Sequence, residues 1–303
     1  MLLSSGAPQD NKMSGAAGGE SGGDGNNYIT WFLYTGQPNS EIPRDVAHVL
    51  IDPSVKVIAA DAFRGCNQLL EVRLYGGLEE IGYSAFRDCK SLKNFKSPST
   101  VKKIDAGAFA YCVKLVEVEL CEGLDEIGLS AFYLCKSLKH MKVPSTVKKI
   151  DNCAFNNCWQ LEEVELCEGL QEIGDQAFEG CKSLGRISVP STVKVIGYDA
   201  FDGCFNLVEV ELCEGLETIG EGAFSGCKSL KSFKVPSTVK VIGDWAFLCC
   251  EQLVEVGLCE GLKQIGAYAF DGCKSLKHMK IPSTVGIRNI GQYAFRGCEQ
   301  LHL

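Results

Sequence analysis

The dipeptide Ala-Phe occurs eleven times between Ala62 and Phe295, and this repetition constrains the fold more than any other feature of the chain. Nine successive intervals are 23 residues long, and the last is 25. Other apolar positions keep the same register: an Ile lies four residues before each Ala, a Cys three residues after each Phe, and a Leu three residues after each Cys. A fixed period of this length is typical of repeat architectures.

Each repeat contains one strand-like segment and one turn. Segments such as Val164-Glu165-Leu166 alternate apolar and polar residues, which predicts a short strand with one buried face. The turn that follows is either Pro-Ser-Thr-Val or Cys-Glu-Gly-Leu, and the two types alternate, which indicates a duplicated unit of 46 residues. Because 23 residues with one strand cannot enclose a core, the sequence predicts a mostly β repeat solenoid with short turns or 3-10 segments, whose apolar columns are buried by stacking.

The two ends of the chain differ from the repeats. Residues 1–27 are rich in Gly, Ser and Asn, which predicts a disordered leader, and residues 28–303 are assigned to the solenoid. Within it, residues 28–51 are expected to form a β-hairpin cap, with strands near Tyr28–Tyr34 and Val46–Ile51, and residues 52–303 about eleven coils. The sequence stops inside a strand, so we expect either a truncated gene model or a bare edge available for self-association by stacking.

At this level of detail the repeat resembles a known family. The pattern Gly-Leu-x-x-Ile-Gly-x-x-Ala-Phe-x-x-Cys, preceded by Leu-x-x-Val-x-Leu, is similar to the BspA-like leucine-rich repeats over roughly Val49 to Leu303. The segment from Tyr34 to Val55 looks like the corresponding part of protist members, diatoms included. The resemblance implies a right-handed leucine-rich-repeat coil that binds other macromolecules, in some members as an adhesin, and it implies no catalytic residues.

Seventeen cysteines raise the question of zinc or redox chemistry. Eleven follow the Ala-Phe pairs, four (Cys121, Cys167, Cys213, Cys259) recur every 46 residues, and Cys153 and Cys249 remain. Cysteines stacked in one straight column do not arrange four sulfurs in a tetrahedron, as zinc requires. Cysteines of the 46-residue series lie two coils apart, which is too far for a disulfide. We therefore expect buried free thiols in a reducing compartment, with no metal and no cofactor.

Charge and hydropathy narrow the choice of partners. The net charge of −8 argues against nucleic acid, because phosphate binding needs a cationic surface. No stretch approaches the roughly 18–20 apolar residues of a membrane span, and no secretion signal is recognisable, so we expect no membrane insertion and a cytoplasmic location. The histidines are too far apart to act together, and the Ser-Thr pairs recur with the turns, so the repeat architecture explains them. Both observations favour a protein that is not an enzyme.

The outward positions of the strands alternate in charge from coil to coil, as in Glu119, Lys142 and Glu165. One interpretation is a charged recognition face, and the other is a sheet that neutralises itself, because opposite charges on adjacent strands attract. The columns compared, from Glu71 to Lys280, contain no Trp or Tyr, the residues that most often anchor binding hot spots.

One part of the surface departs from the repeat. Coils three to five carry Tyr111, Tyr133, Leu134 and Trp159 where sibling coils have Gly, Asp or Lys, and neighbouring coils are expected to bring these four into one apolar patch. The alternative is that they half-bury against adjacent loops. Trp245 and Leu248 form a weaker second case. The sequence therefore predicts a non-catalytic scaffold that binds other proteins, with a structural or adhesive protein, displayed on a surface or stacking on itself, as the alternative.

Overall fold

The computed structural model describes residues 29–37 and 41–302, which form a solenoid with two ladders of parallel strands. We number the coils one to eleven by their Ala-Phe pairs, from Ala62-Phe63 to Ala294-Phe295. The expected leader, residues 1–27, lies outside the described residues. The longer strands are β1 (Phe32–Tyr34), β2 (His48–Ile51), β4 (Glu71–Arg73), β6 (Asn94–Lys96), β8 (Glu117–Glu119), β10 (His140–Lys142), β12 (Glu163–Glu165), β14 (Arg186–Val189), β16 (Glu209–Leu212), β18 (Ser232–Lys234), β20 (Glu255–Gly257) and β22 (His278–Met279).

The second ladder consists of two-residue strands, each ending at the repeated Ile. They are β3 (Val57–Ile58), β5 (Glu80–Ile81), β7 (Lys103–Ile104), β9 (Glu126–Ile127), β11 (Lys149–Ile150), β13 (Glu172–Ile173), β15 (Val195–Ile196), β17 (Thr218–Ile219), β19 (Val241–Ile242) and β21 (Gln264–Ile265). An isolated bridge from Ile265 to Ile290 continues the ladder into coil eleven. A 3-10 helix, η1 (Ile287–Asn289), accommodates the two extra residues of the last repeat.

The predicted register is confirmed throughout. Ile150 pairs with Ile173, and His140 pairs with Glu163, each exactly one repeat further along the chain. The short strands form one continuous ten-stranded sheet, whereas the longer strands divide into sheets of three, six and three strands. Every pairing is parallel, because successive coils run in the same direction.

The N-terminal cap pairs differently from the prediction. Phe32–Tyr34 lies parallel to His48–Ile51, whereas a β-hairpin requires antiparallel strands, so the predicted hairpin is wrong. Strand β1 adds one more strand beside β2 at the end of the longer ladder. The Tyr34 ring meets Phe63 edge to face at 5.1 Å, and its hydroxyl accepts a hydrogen bond from the Ala59 amide. Tyr34 thereby covers the ring of Phe63, the first of the repeated Phe residues.

A column of Phe rings forms the centre of the solenoid. Successive rings from Phe63 to Phe295 stack with centroids 5.0–5.7 Å apart, and all but Phe295 are fully buried. The repeated Ile and Leu columns flank this stack and are fully buried in the inner coils. No single repeat has enough apolar surface to exclude water, so each coil is stabilised by its two neighbours.

The ladder cysteines are part of the same core. From Cys89 onward, each thiol donates a hydrogen bond to the carbonyl of a Phe of the preceding coil, with sulfur–oxygen distances of 3.0–3.4 Å. Burial raises the pKa of Cys158 and keeps its thiol protonated. All seventeen cysteines are free. Cys suits this column because it is a small apolar side chain that still carries one weak donor.

The alternation of the two turn types has a structural cause. The carboxylate of Glu122, in a Cys-Glu-Gly-Leu turn, accepts hydrogen bonds from the amide and hydroxyl of Ser145 in the next Pro-Ser-Thr turn. Thr146 completes the contact, since its hydroxyl accepts from the Gly123 amide and donates to the Leu124 carbonyl. The two turn types therefore interlock as a pair, which explains the 46-residue unit.

Candidate partner-binding surface

Each coil has a left-handed residue immediately before its ladder Cys. In coils one, six, seven, eight, ten and eleven this residue is Gly, which adopts positive φ without steric cost. Coils three and four instead place Tyr111 at φ 63° and Leu134 at φ 59°. A bulky side chain in this conformation destabilises the backbone by about 1–3 kcal/mol. The two side chains are partly exposed.

Tyr111 and Tyr133 are in direct contact. Their ring centroids lie 5.3 Å apart at an interplanar angle of 75°, the edge-to-face arrangement that aromatic pairs favour. The Arg87 guanidinium lies 4.9 Å from the centre of the Tyr111 ring. Burial raises the pKa of Tyr133, so its hydroxyl stays protonated at neutral pH. The pair presents a neutral aromatic surface beside one cation.

Leu134 lies in coil four and Trp159 in coil five. Leu134 occupies the column of Tyr111 one coil further along. Trp159 immediately follows the ladder Cys of coil five, with 38% of its surface exposed, and its indole N–H donates to the Asn157 amide oxygen at 2.9 Å. The Lys136 and Lys182 ammonium groups lie over the Trp159 ring at 4.1 and 4.7 Å. Tyr111 and Tyr133 are thus brought together, and Trp159 packs against lysines.

Sequence reasoning missed the column to which Trp159 belongs. The residues that follow the ladder Cys in coils four to eight alternate between lysine and an exposed aromatic ring. Phe205 is 41% exposed, and the Lys228 ammonium lies 5.7 Å from its ring centre. We call these five residues the Lys–aromatic stripe: Lys136, Trp159, Lys182, Phe205 and Lys228. The signal was available in the residue after each Cys, read down the repeats.

A second aromatic column lies in coils nine to eleven, at the left-handed position before each Ala. Trp245 stacks on Tyr268 with centroids 6.1 Å apart, and Tyr268 lies 5.3 Å from Tyr293. The weaker sequence hypothesis paired Trp245 with Leu248, whereas the ring contact of Trp245 is with Tyr268. Trp245 is 38% exposed, the same fraction as Trp159.

The outward face of the longer strands contains several ion pairs between neighbouring coils. Lys142 lies 2.7 Å from Glu165, and Lys96 lies 2.5 Å from Glu119. Because β1 joins this sheet, the face also carries Trp31, whose ring lies 5.2 Å from that of His48 and 4.1 Å from the Arg73 guanidinium. The strand columns predicted from the sequence began at Glu71 and therefore did not include Trp31.

A metal site needs several ligand side chains close together. Across 29–37 and 41–302, no cluster of three or more His, Cys, Asp or Glu side chains could hold a metal ion. No helix in these ranges is long and apolar enough to cross a bilayer.

The repeats of this chain are similar to those of a known family. The model of the BspA type leucine rich repeat region matches residues 45–162 and 171–302 in six copies. The chain belongs to the BspA-type leucine-rich repeat family. This family consists of repeat scaffolds that generally lack enzyme activity and bind other proteins. No curated protein matches the sequence.

Solved structures show the same BspA-type architecture. A leucine-rich repeat protein from Bacteroides ovatus is 25% identical, with a TM-score of 0.63 over 84% of this chain and 77% of that one. The pneumococcal vaccine antigen PcpA is 19% identical, with a TM-score of 0.53 over 84% and 78%. A leucine-rich repeat protein from Eubacterium ventriosum is 22% identical, with a TM-score of 0.51 over 77% and 84%. At these identities the last two show the fold alone.

Proposed function

We propose that this BspA-type protein is a non-catalytic scaffold that binds a partner protein through Tyr111, Tyr133, Leu134 and Trp159. The observation that carries the proposal is the left-handed conformation of Tyr111 and Leu134, at a position where six other coils have Gly. Bulky apolar side chains at the surface in an unfavourable backbone conformation contribute little to the fold. Backbone strain of this kind is concentrated at functional sites.

The chemistry of the surface supports binding rather than catalysis. Tyr111, Tyr133 and Trp159 offer large, rigid contact areas, and Tyr and Trp are enriched at binding hot spots. Arg87 and Lys136 contact these rings as cations, but cation–π contacts do not form an acid–base pair.

The test includes two tryptophans of equal exposure, Trp159 at the site and Trp245 outside it. Tyr133→Ala and Trp159→Ala should abolish capture of partner proteins from extracts of the cell that makes this chain, while the melting temperature changes by only a few degrees. Trp245→Ala is the matched control and should keep full capture. Unchanged capture by both site variants, or their failure to fold, would favour the alternative that these residues half-bury for stability.

Self-association is the second candidate. In coil eleven Phe295 and Cys298 are only partly buried, whereas their counterparts Phe270 and Cys273 are fully buried. A second copy stacking on this face would complete their burial. Sedimentation over a range of concentrations separates the two functions, because a monodisperse monomer supports the scaffold and growth in length supports a structural or adhesive protein.

The cysteine content supports a reducing compartment such as the cytoplasm. All seventeen thiols are free, and Cys213 and Cys249 are exposed. Exposed thiols persist where cellular reductants keep them reduced. Fractionation of the source cell, with the protein traced by antibody, tests this location.

A further inference from the structure

The Lys–aromatic stripe is held in line by the backbone. The amides of Gln160, Ser183, Asn206 and Ser229 donate to the carbonyls of Lys136, Trp159, Lys182 and Phe205, each at 3.2 Å. At this position each coil of the stripe is therefore hydrogen-bonded to the coil beside it. The five residues form a regularly spaced row along the solenoid.

The cations of the stripe are available to a ligand. Within the part of the chain that the structure describes, Lys136 and Lys182 contact no carboxylate, and Lys228 reaches Glu251 only at 3.7 Å. Their ammonium groups are held near aromatic rings instead. The positions beside the stripe in the next column are neutral, for example Ser137, Gln160 and Ser183.

We propose that the Lys–aromatic stripe binds an acidic segment of a partner protein in which carboxylates alternate with apolar side chains. The proposal rests on the proposed scaffold function and specifies its partner, since Trp159 belongs to both surfaces. Carboxylates would pair with the three ammonium groups. Apolar side chains would contact the exposed edges of Trp159 and Phe205 between them.

The spacing of the stripe specifies the spacing of the ligand. Adjacent coils are about 5 Å apart, as the 5.2 Å between the Phe155 and Phe178 rings indicates, so successive lysines of the stripe lie about 10 Å apart. A chain in the polyproline II conformation has three residues per turn and rises about 3.1 Å per residue, so carboxylates three residues apart lie on the same face, about 9 Å from one another. A peptide with Glu at every third position matches the stripe.

An acidic protein segment fits better than a nucleic acid. The lysines approach Trp159 from the coils on either side, so the faces of the ring are covered and a base has no free face on which to stack. The net charge of −8 also opposes the long-range attraction of a polyanion.

The same column supplies a matched control. Lys90 and Lys274 also follow ladder cysteines, but Lys90 lies between Asn67 and Val113, and Lys274 lies between Glu251 and Glu299. Neither has an aromatic neighbour in the column. The double variants Lys136→Glu/Lys182→Glu and Lys90→Glu/Lys274→Glu change the net charge equally.

The experiment measures fluorescence anisotropy of a labelled twelve-residue peptide of the repeat Glu-Leu-Ser against the full chain. A second peptide has the same composition with its four Glu residues adjacent, and the third probe is oligo(dT) of 20 nucleotides. We expect the spaced peptide to bind, the clustered peptide to bind at least fivefold more weakly, and oligo(dT) not to bind. The Lys136→Glu/Lys182→Glu variant should lose at least tenfold in affinity, and the control variant should lose less than twofold.

Several results would overturn this inference. They are absence of binding by the spaced peptide, equal loss in both double variants, or equal or tighter binding of oligo(dT). Melting temperatures of both variants verify that they are folded. The scaffold proposal is judged separately by Tyr133→Ala, which lies outside the stripe: if that variant loses partner capture while the lysine variant keeps it, the scaffold stands and the acidic-segment inference fails.

Discussion

Ser145 donates both its amide and its hydroxyl to the carboxylate of Glu122 in the preceding turn, at 3.3 and 2.9 Å. The same contact recurs between Glu168 and Ser191, Glu214 and Ser237, and Glu260 and Ser283. Such a contact stabilises the ionised carboxylate, so the pKa values of Glu122, Glu168 and Glu214 lie below the ordinary value of 4.5.

These lowered pKa values predict a loss of stability in acid. A group whose pKa is depressed on folding stabilises the protein fully above its unfolded pKa, and this contribution disappears as the pH falls through the folded pKa. The melting temperature should therefore fall between about pH 5 and pH 3. In a triple variant with Gln at 122, 168 and 214, the fall should be shallower. If the melting temperatures of the two proteins fall equally with pH, the Glu–Ser contacts contribute nothing to stability.

The Phe column predicts a large effect of one core substitution. Phe178 is fully buried between two other rings, and Phe178→Ala should lower the free energy of unfolding by about 3–5 kcal/mol. Because coupling in a solenoid passes only between neighbours, urea unfolding should also become less cooperative. Phe205→Ala, at an exposed position, is the control and should change the unfolding free energy by well under 1 kcal/mol. Similar losses for both would contradict the stacked core.

The buried thiols predict selective labelling. In the native protein at about pH 8, iodoacetamide should modify exposed Cys213 and Cys249 first, because only an accessible thiolate reacts. Burial raises the pKa of Cys66 to about 11 and holds that of Cys158 higher still, so both should stay unmodified. Mass spectrometry of the digest locates the label, and all seventeen thiols should react after denaturation. Rapid native labelling of Cys158 would be incompatible with this core.

The ion pairs of the strand face predict a salt-dependent effect. Lys142→Glu places three successive carboxylates in one column, with Glu119 and Glu165 on either side, and should lower the melting temperature at low salt. At about 0.5 M NaCl the difference from the wild type should largely disappear through screening. Lys114→Glu has Ser91 and Ser137 as column neighbours and should have little effect. An unchanged melting temperature for Lys142→Glu at low salt would refute the view that alternating charge permits stacking.

The 23-residue period alone was sufficient to predict the solenoid and its core. Ile150 pairs with Ile173, and Phe155 stacks on Phe178, because similar repeats pack best when they are in register. The position of a side chain within one repeat then determines which side chains it contacts. The burial of the ladder cysteines follows from the same reasoning. Periodicity is a property of the sequence, so this part of the fold needs no coordinates.

The tertiary structure decided the features that depend on strand direction and on contacts between columns. The alternation of Phe32, Leu33 and Tyr34 is the same in a parallel and an antiparallel strand, so only the parallel pairing of β1 with β2 shows that the cap is not a hairpin. Likewise, the sequence predicted that neighbouring coils bring Trp159 into one patch with Tyr111, Tyr133 and Leu134. The structure shows that Lys136 and Lys182, in the same column as Trp159, place their ammonium groups over its ring. The period puts these residues in one column, but it does not determine the conformations of their side chains.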